Sequence, residues 1–438
     1  MASDLKGHLA RSAAATFCLK VVATLLSFIS SVLLARMLRA NGYGIYAYTW
    51  AWISFLSIPA VLGLDRLLVR EIAVYRHQSA WGLLRGLLHW ANSIVLYVST
   101  GLALLAGCIA WALAGHTDSQ MLRAFLVALP ALPLTTLTRL RQAAMQGFHH
   151  IVAGQLPEAL VQPALFITLI IGAYLLLGDG LTASWVVGMS VAATAASFLI
   201  GAGLLRKILR QSVAESPRAH QTRVWARSLW PLLVISGVSI VNAQVSILLL
   251  GALKGAETAG VYAVAARGAE LIAFAFTAVN LALAPMIASL WAKGDLKRLQ
   301  RVVKNTTRAT LLFSLPVAAG LLVFGQRFLL IFGAEFTTGR AALSILSAGQ
   351  LINVAMGAVG LLLVMTGHER DAAMGVGTGA LLNIILNALM IPRWGLEGAA
   401  IANAGSIIAW NVLLALWVYR RLGIDATAFG RVNVRRVL

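Results

Sequence analysis

Residues 95–113 read VLYVSTGLALLAGCIAWAL, nineteen positions without one charged side chain. At 1.5 Å rise per residue a helix of that length is about 28 Å long, close to the ~30 Å hydrocarbon thickness of a bilayer. The same texture recurs at Ala164–Leu177 and Leu311–Phe324. Of the 438 residues 60% are hydrophobic and 11% charged, whereas a soluble domain is about 25% charged. Twelve spans fit the chain, at 14–35, 44–64, 87–113, 122–144, 156–177, 183–205, 229–250, 260–290, 309–331, 341–365, 372–391 and 397–419. The expected fold class is therefore an all-α membrane protein with 12 transmembrane helices. No polar block between the spans is long enough to fold as a soluble domain, which argues against an enzyme with a water-facing catalytic domain.

Met1–Arg11 is short, polar and runs straight into an apolar helix. It lacks the small-residue cleavage site of a signal peptide, so the first helix is expected to stay. Cys18 and Cys108 lie in separate apolar segments without metal-ligand spacing, and read as small core residues. No metal and no cofactor is expected.

The formal net charge of +20 invites a nucleic-acid reading, but the distribution of the charges opposes it. With the N-terminus inside, 25 Lys and Arg fall on the cytoplasmic side and seven on the outer side; Lys20, Arg66 and Arg267 lie in or at the edge of spans. That asymmetry follows the positive-inside rule and predicts both termini cytoplasmic. The excess charge is a topology signal, and no nucleic acid is expected as a partner.

The longest inner loop, 206–228, carries Ser216, Pro217 and Arg218 and divides the chain into six-helix bundles at 1–205 and 229–438, the second with a short basic tail. The halves echo each other at an offset of 216: Ala40, Gly44, Tyr46 and Ala47 match Ala256, Gly260, Tyr262 and Ala263. An even number of helices per half makes this a parallel repeat about an axis along the membrane normal, a transporter plan with the substrate in a central cavity between repeats. Prolines within or at the start of spans, among them Pro59, Pro130, Pro163, Pro285 and Pro316, predict kinks and a bundle that opens and closes.

Five stretches carry a family likeness in order: Leu38–Ala47 (LRANGYGIYA), Gly63–Ala73 (GLDRLLVREIA), Gly255–Ala263 (GAETAGVYA), Phe332–Phe336 (FGAEF) and Ile391–Asn403 (IPRWGLEGAAIAN). Over residues 10–423 the chain resembles the bacterial Wzx-type flippases of O-antigen and exopolysaccharide assembly. The resemblance implies a twelve-helix protein of the multidrug/oligosaccharidyl-lipid/polysaccharide superfamily in the inner membrane. It also implies an undecaprenyl diphosphate-linked oligosaccharide as substrate, and other polysaccharide-assembly proteins as partners beside the lipid bilayer.

An ionisable group at the bilayer centre costs about 2.5–3.5 kcal/mol on the mildest scale, so such groups are functional candidates. Arg267 lies two turns into its span with Glu270 three positions on, on the same helix face. The pair reads either as a structural strut or as a diphosphate ligand tuned by Glu270; the planar guanidinium fork suits phosphate. Lys20 either snorkels to the headgroups or joins Arg267 as a second ligand. Asp65 and Arg66 read as interfacial anchors, with Arg66 a further ligand candidate. Arg139 and Arg141 either set topology or form an inner gate with Glu158. Glu158, Glu270 and Asp65 are the candidates for ion coupling. Asn242, Asn280, Asn353 and Asn383 are polar enough to bond neighbouring helices or to meet sugar hydroxyls.

No nucleophile–base pair, phosphate-binding loop or metal motif is visible. A multidrug cation exporter would be expected to carry acidic groups within its spans, whereas here the first helix carries Lys20 and cationic candidates match or outnumber acidic ones. A polysaccharide polymerase or ligase would be expected to have a large outer loop, and the outer loops here are short. A diphosphate moving outward with about two negative charges would gain roughly 4–5 kcal/mol from an inside-negative potential of about 100 mV.

Overall fold

The computed structural model describes residues 2–429, apart from 117, 213–215, 218 and 220. The described residues form helices and connecting turns with no strand. In hydrocarbon each backbone N–H and C=O must be satisfied within its own segment, which a helix does and an open strand does not. Among the described residues, ten helices are long and apolar enough to cross a membrane. Large apolar side chains such as Leu104, Trp111, Leu175, Leu176 and Phe313 stand exposed on them, as a lipid-facing surface requires. Cys18 and Cys108 are exposed too, which corrects their reading as core residues. In a bilayer both faces of a helix are apolar, so composition does not separate core from lipid.

The chain folds into two compact units, one of residues 1–38 and 45–240, the other of residues 39–44 and 241–438. Along the first run α1 (Ala2–Val61), α2 (Leu64–His77), α3 (Trp81–Ala112), α4 (Ser119–Ala128), α5 (Ala131–Gly147), α6 (Ile151–Leu156), α7 (Gln162–Leu177) and α8 (Ala183–Ser212). Next, α9 (Thr222–Lys254) passes from the first unit into the second. The second unit continues with α10 (Ala256–Ala292), α11 (Leu296–Phe332), α12 (Arg340–Met356), α13 (Val359–Met365) and α14 (Glu369–Leu422).

Two of these helices are pairs joined at a break. In α1 the backbone leaves the helical region at Arg39 (φ 56°, ψ −176°), and in α14 at Gly395 (φ 51°, ψ −121°). Both fall where the sequence places a short outer loop. A third break, at Phe324 in α11, lies eight residues past Pro316, while Pro285 sits inside an α10 without such a break. Proline therefore marks only some of the bends. Pro157 opens a π-helical turn, Pro157–Val161, between α6 and α7.

In the first unit the inter-bundle loop is pinned down. Ala219 N–H donates to the Gly82 carbonyl at 3.0 Å, and Arg85 donates to the Ser216 carbonyl at 3.1 Å. A Cβ on Gly86 would sit 1.8 Å from the Ala219 carbonyl oxygen, so only glycine admits the loop there. Trp225 is buried, with Nε1 donating to the Tyr75 hydroxyl at 2.9 Å; burial lifts the Tyr75 phenol above its usual pKa. In the second unit the segment after α14 folds back on α11. Buried Gln300 donates to the Asp425 carbonyl (2.7 Å) and accepts from its N–H (2.9 Å), and Thr307 and Arg308 donate to the carbonyls of Ala426 and Ala428. Each unit thus carries a strap against a long helix, α3 in the first and α11 in the second.

Residues 39–44 belong to the second unit through a close set of contacts. Glu335 accepts from the Ala40 N–H at 2.8 Å and Tyr43 meets Phe336 edge-on at 5.9 Å. The repeated glycines meet each other here: a Cβ on Gly44 would lie 1.7 Å from the Ala256 carbonyl oxygen, and one on Gly260 2.5 Å from that of Ala40. Small residues at matching positions let two backbones touch. Gly44→Ala is expected to force this crossing apart and cost about 1–3 kcal/mol, the range for overpacking, read as a lower melting temperature of the purified protein. An unchanged melting temperature would show that the crossing yields without cost.

Candidate functional site

Two polar cavities lie within the first unit and share Arg139. The first is hydroxyl-lined, about 210 Å³, and bounded by Trp50, Ile53, Ser54 and Ser57 of α1, Thr135, Thr138 and Arg139 of α5, Glu158, Gln162, and Thr194 of α8. The second is arginine-lined, about 360 Å³, and bounded by Asp65, Arg66 and Val69 of α2 with Arg139, Gln142, Ala143 and Gln146 of α5.

Arg139, Gln142 and Glu158 separate the two. Glu158 stands on the π-helical turn, a local widening of the helix that recurs at functional sites. Its carboxylate accepts from Arg141 Nη2 at 2.7 Å and from the Gln142 amide. Arg141 itself is buried, at 4% exposure. Its Nη1 donates to the Ser197 and Phe198 carbonyls of α8, at 3.3 and 3.0 Å. Gly201 makes the room: a Cβ there would lie 1.8 Å from Arg141 Nη1. Arg141 is therefore fixed from three sides and holds Glu158 in place. Half-buried Arg139 lies within electrostatic reach of Asp65 and Glu158 and faces both cavities.

The hydroxyl-lined cavity contains groups whose hydrogen bonding is already spoken for and groups whose is not. Ser57 and Thr135 donate back to carbonyls of their own helices, leaving oxygen lone pairs. Gln162 donates to Thr194 at 2.9 Å. By contrast Trp50 Nε1 and Thr138 Oγ1 are buried with no partner. Asp65 Oδ1 in the other cavity is in the same condition.

The remaining candidates lie elsewhere. Arg267 and Glu270, in the second unit, pair at 3.8 Å with side chains 49% and 64% exposed. Lys20 is half-buried on α1 in the first unit. Asn383 donates to Asn242 across α14 and α9, and Asn387 donates to Asn383. Asn353 accepts from Asn411 at 2.9 Å, and Asn280 is half-buried on α10. Sequence reasoning brought Arg139, Arg141 and Glu158 together but passed over Trp50, Thr138, Gln142, Gln162 and Gly201. A usable signal was present in α5, where residues 134–142 (LTTLTRLRQ) are too polar for a lipid-facing turn.

Fold and cavities define the class: a multi-pass helical membrane protein, of the inner membrane in a bacterial cell, with buried polar space inside its spans. A solved structure titled as an inward-facing multidrug resistance MATE family transporter of the MOP superfamily shares this fold, with a TM-score of 0.69 at 13% identity, covering 90% of this chain and 93% of its own. The profile described as Polysaccharide biosynthesis protein matches residues 9–291, and the chain belongs to that family. The MatE profile matches residues 231–389. Among curated proteins the chain is 24% identical to the "Probable low-salt glycan biosynthesis flippase Agl15" of Haloferax volcanii, over 93% of this chain and 83% of that protein. It is 23% identical to the "Putative O-antigen transporter" of Shigella flexneri, over 92% and 95%.

Proposed function

We propose that this protein is a flippase that carries undecaprenyl diphosphate-linked oligosaccharide across the bacterial inner membrane by alternating access. The observation that carries the reading is a pair of polar cavities meeting at Arg139, the hydroxyl-lined one among apolar spans and the arginine-lined one against α2, in a member of a polysaccharide biosynthesis family. Burying such groups in a bilayer is costly, and groups of this kind mark substrate pathways. Arg66 and Arg139 of the arginine-lined cavity suit the diphosphate, with Asp65, Glu158 and Arg141 gating or coupling the passage. Arg267 and Lys20 are further diphosphate ligands in this proposal, Glu270 a tuning group, and Asn242, Asn280, Asn353 and Asn383 sugar contacts. Arg267 and Glu270 are exposed on a spanning helix, which favours a wet face over hydrocarbon. The substrate moves without a covalent step.

The finer architecture belongs to the same proposal: twelve crossings, counting the two halves of α1 and of α14 separately, as two parallel six-helix repeats around a central cavity. The matching straps on α3 and α11 and the paired Gly44 and Gly260 support the repeat. The positive-inside count supports cytoplasmic termini. Fusions of a reporter active only outside the cytoplasm are expected to be dark at Ser216 and Leu438; a bright fusion at either would overturn the topology.

The transport reading is tested in a strain lacking the gene. Lipid-linked glycan is expected to accumulate in the inner leaflet and to reach the outer leaflet again when the gene is restored. The MatE match and the fold neighbour support one other reading, a multidrug cation exporter. Efflux of rhodamine or tetraphenylphosphonium with no change in surface glycan would establish it and overturn the flippase.

A further inference from the structure

We propose that the hydroxyl-lined cavity of the first unit is a monosaccharide subsite, with Trp50 and Thr138 reading the sugar; the inference rests on the flippase reading and names where its glycan is held. The argument begins with two unsatisfied groups. Trp50 Nε1 is a donor, Thr138 Oγ1 both donor and acceptor, and both are buried without a partner on the wall of one cavity. Thr138 is 5% exposed. A buried polar group left unpaired loses its hydration with nothing in return; both side chains line the cavity, where a small turn would bring these covered atoms to a molecule that enters.

The surrounding groups narrow what that is. An organic cation has no acceptor for the indole N–H and would leave Trp50 unsatisfied. A phosphodiester only accepts; Arg139 would attract it, but it would also face the Glu158 carboxylate, which Arg141 holds in this wall. A hydroxylated ring donates and accepts around its whole edge. It can take hydrogen bonds from Trp50 and Thr138 and give them to the lone pairs left on Ser57 and Thr135 and to Glu158. Ile53 adds an apolar wall for the C–H face of such a ring. The volume, about 210 Å³, is several times the ~30 Å³ of one water and suits one sugar residue rather than a chain. Its neighbour across Arg139 holds Arg66, so a sugar here leaves an anionic linkage on the arginine side. Arg141, locked by Ser197, Phe198 and Glu158, holds in place the Glu158 that stands between them.

The test uses the purified full-length protein in detergent and saturation-transfer NMR, which reads weak sugar binding directly. The probes are methyl glycosides of the common hexoses, N-acetylhexosamines, 6-deoxyhexoses and uronic acids, with tetraphenylphosphonium and inorganic phosphate as competitors. At least one glycoside is expected to give a signal. Trp50→Phe and Thr138→Val should each weaken its binding roughly three- to tenfold, the worth of one neutral hydrogen bond. Cys108→Ser, on the exposed surface, is the control and should not alter it. Thr138→Val keeps the shape of the side chain and Trp50→Phe keeps an aromatic ring of smaller size; an unchanged melting temperature establishes that both fold. No glycoside signal in the wild type, a signal indifferent to both variants, or one displaced by tetraphenylphosphonium overturns the proposal. Occupancy by ordered water alone would appear as the first of these. If the glycoside signal behaves as expected but cells lacking the gene export glycan normally, the flippase reading fails and the sugar subsite stands.

Discussion

Arg141→Ala is expected to reduce the folded protein in membranes to a small fraction of wild type. The guanidinium has 3% of its side chain exposed and holds a Glu158 that is 24% exposed. Removing one partner of a buried pair strands the other, at about 3–5 kcal/mol, a large share of the 5–15 kcal/mol that separates folded from unfolded chains. Two carbonyl contacts to α8 go with it. Neutralising both partners, Arg141→Met with Glu158→Gln, strands no charge and should bring the level back toward wild type. Membrane protein level and the melting temperature of purified protein check both variants. A normal level for Arg141→Ala would show that Glu158 finds water or another cation, and Arg141 would no longer be the strut of this wall.

The second expected result concerns export. If Arg267 holds the diphosphate, Arg267→Ala should lower glycan export, per unit of membrane protein, about 10- to 100-fold. That is the worth of a hydrogen bond to a charged group, roughly 1.5–3 kcal/mol. Arg267→Lys, which keeps the charge and loses the fork, should retain part of it. A strut predicts otherwise: the loss would appear in protein level, and adding Glu270→Gln would restore both level and export. The pair is loose at 3.8 Å and half exposed, and an exposed ion pair contributes little stability, about 0–1 kcal/mol. That weighs against the strut. Export by the double variant equal to wild type would remove Arg267 from the binding set.

The contrast between the two arginines shows what sequence did and did not contain. Both are cations within expected spans, and the sequence ranks Arg267 first because it lies deeper in its span. Depth is readable from spacing along a helix. Direction is not: nothing local says that Arg141 turns into a slot opened by Gly201, sixty residues on, while Arg267 stays half exposed.

The sequence by itself determined that this is a polytopic helical membrane protein. The reason is energetic and local, since an apolar run of bilayer length has one low-energy solution in hydrocarbon, a helix with its backbone bonds closed on itself. The breaks at Arg39 and Gly395 were equally local, lying where short polar loops interrupt the runs. The family likeness was also legible, because it rests on short blocks of adjacent residues. Only tertiary structure decided which polar groups share a cavity. Trp50, Thr138, Glu158 and Thr194 come from four separate segments, and in a membrane helix, where core and lipid faces are both apolar, no periodicity marks the side that turns inward. It also decided that residues 39–44 join the second unit, because the fit of Gly44 on Gly260 is made by backbone atoms that no residue pattern locates.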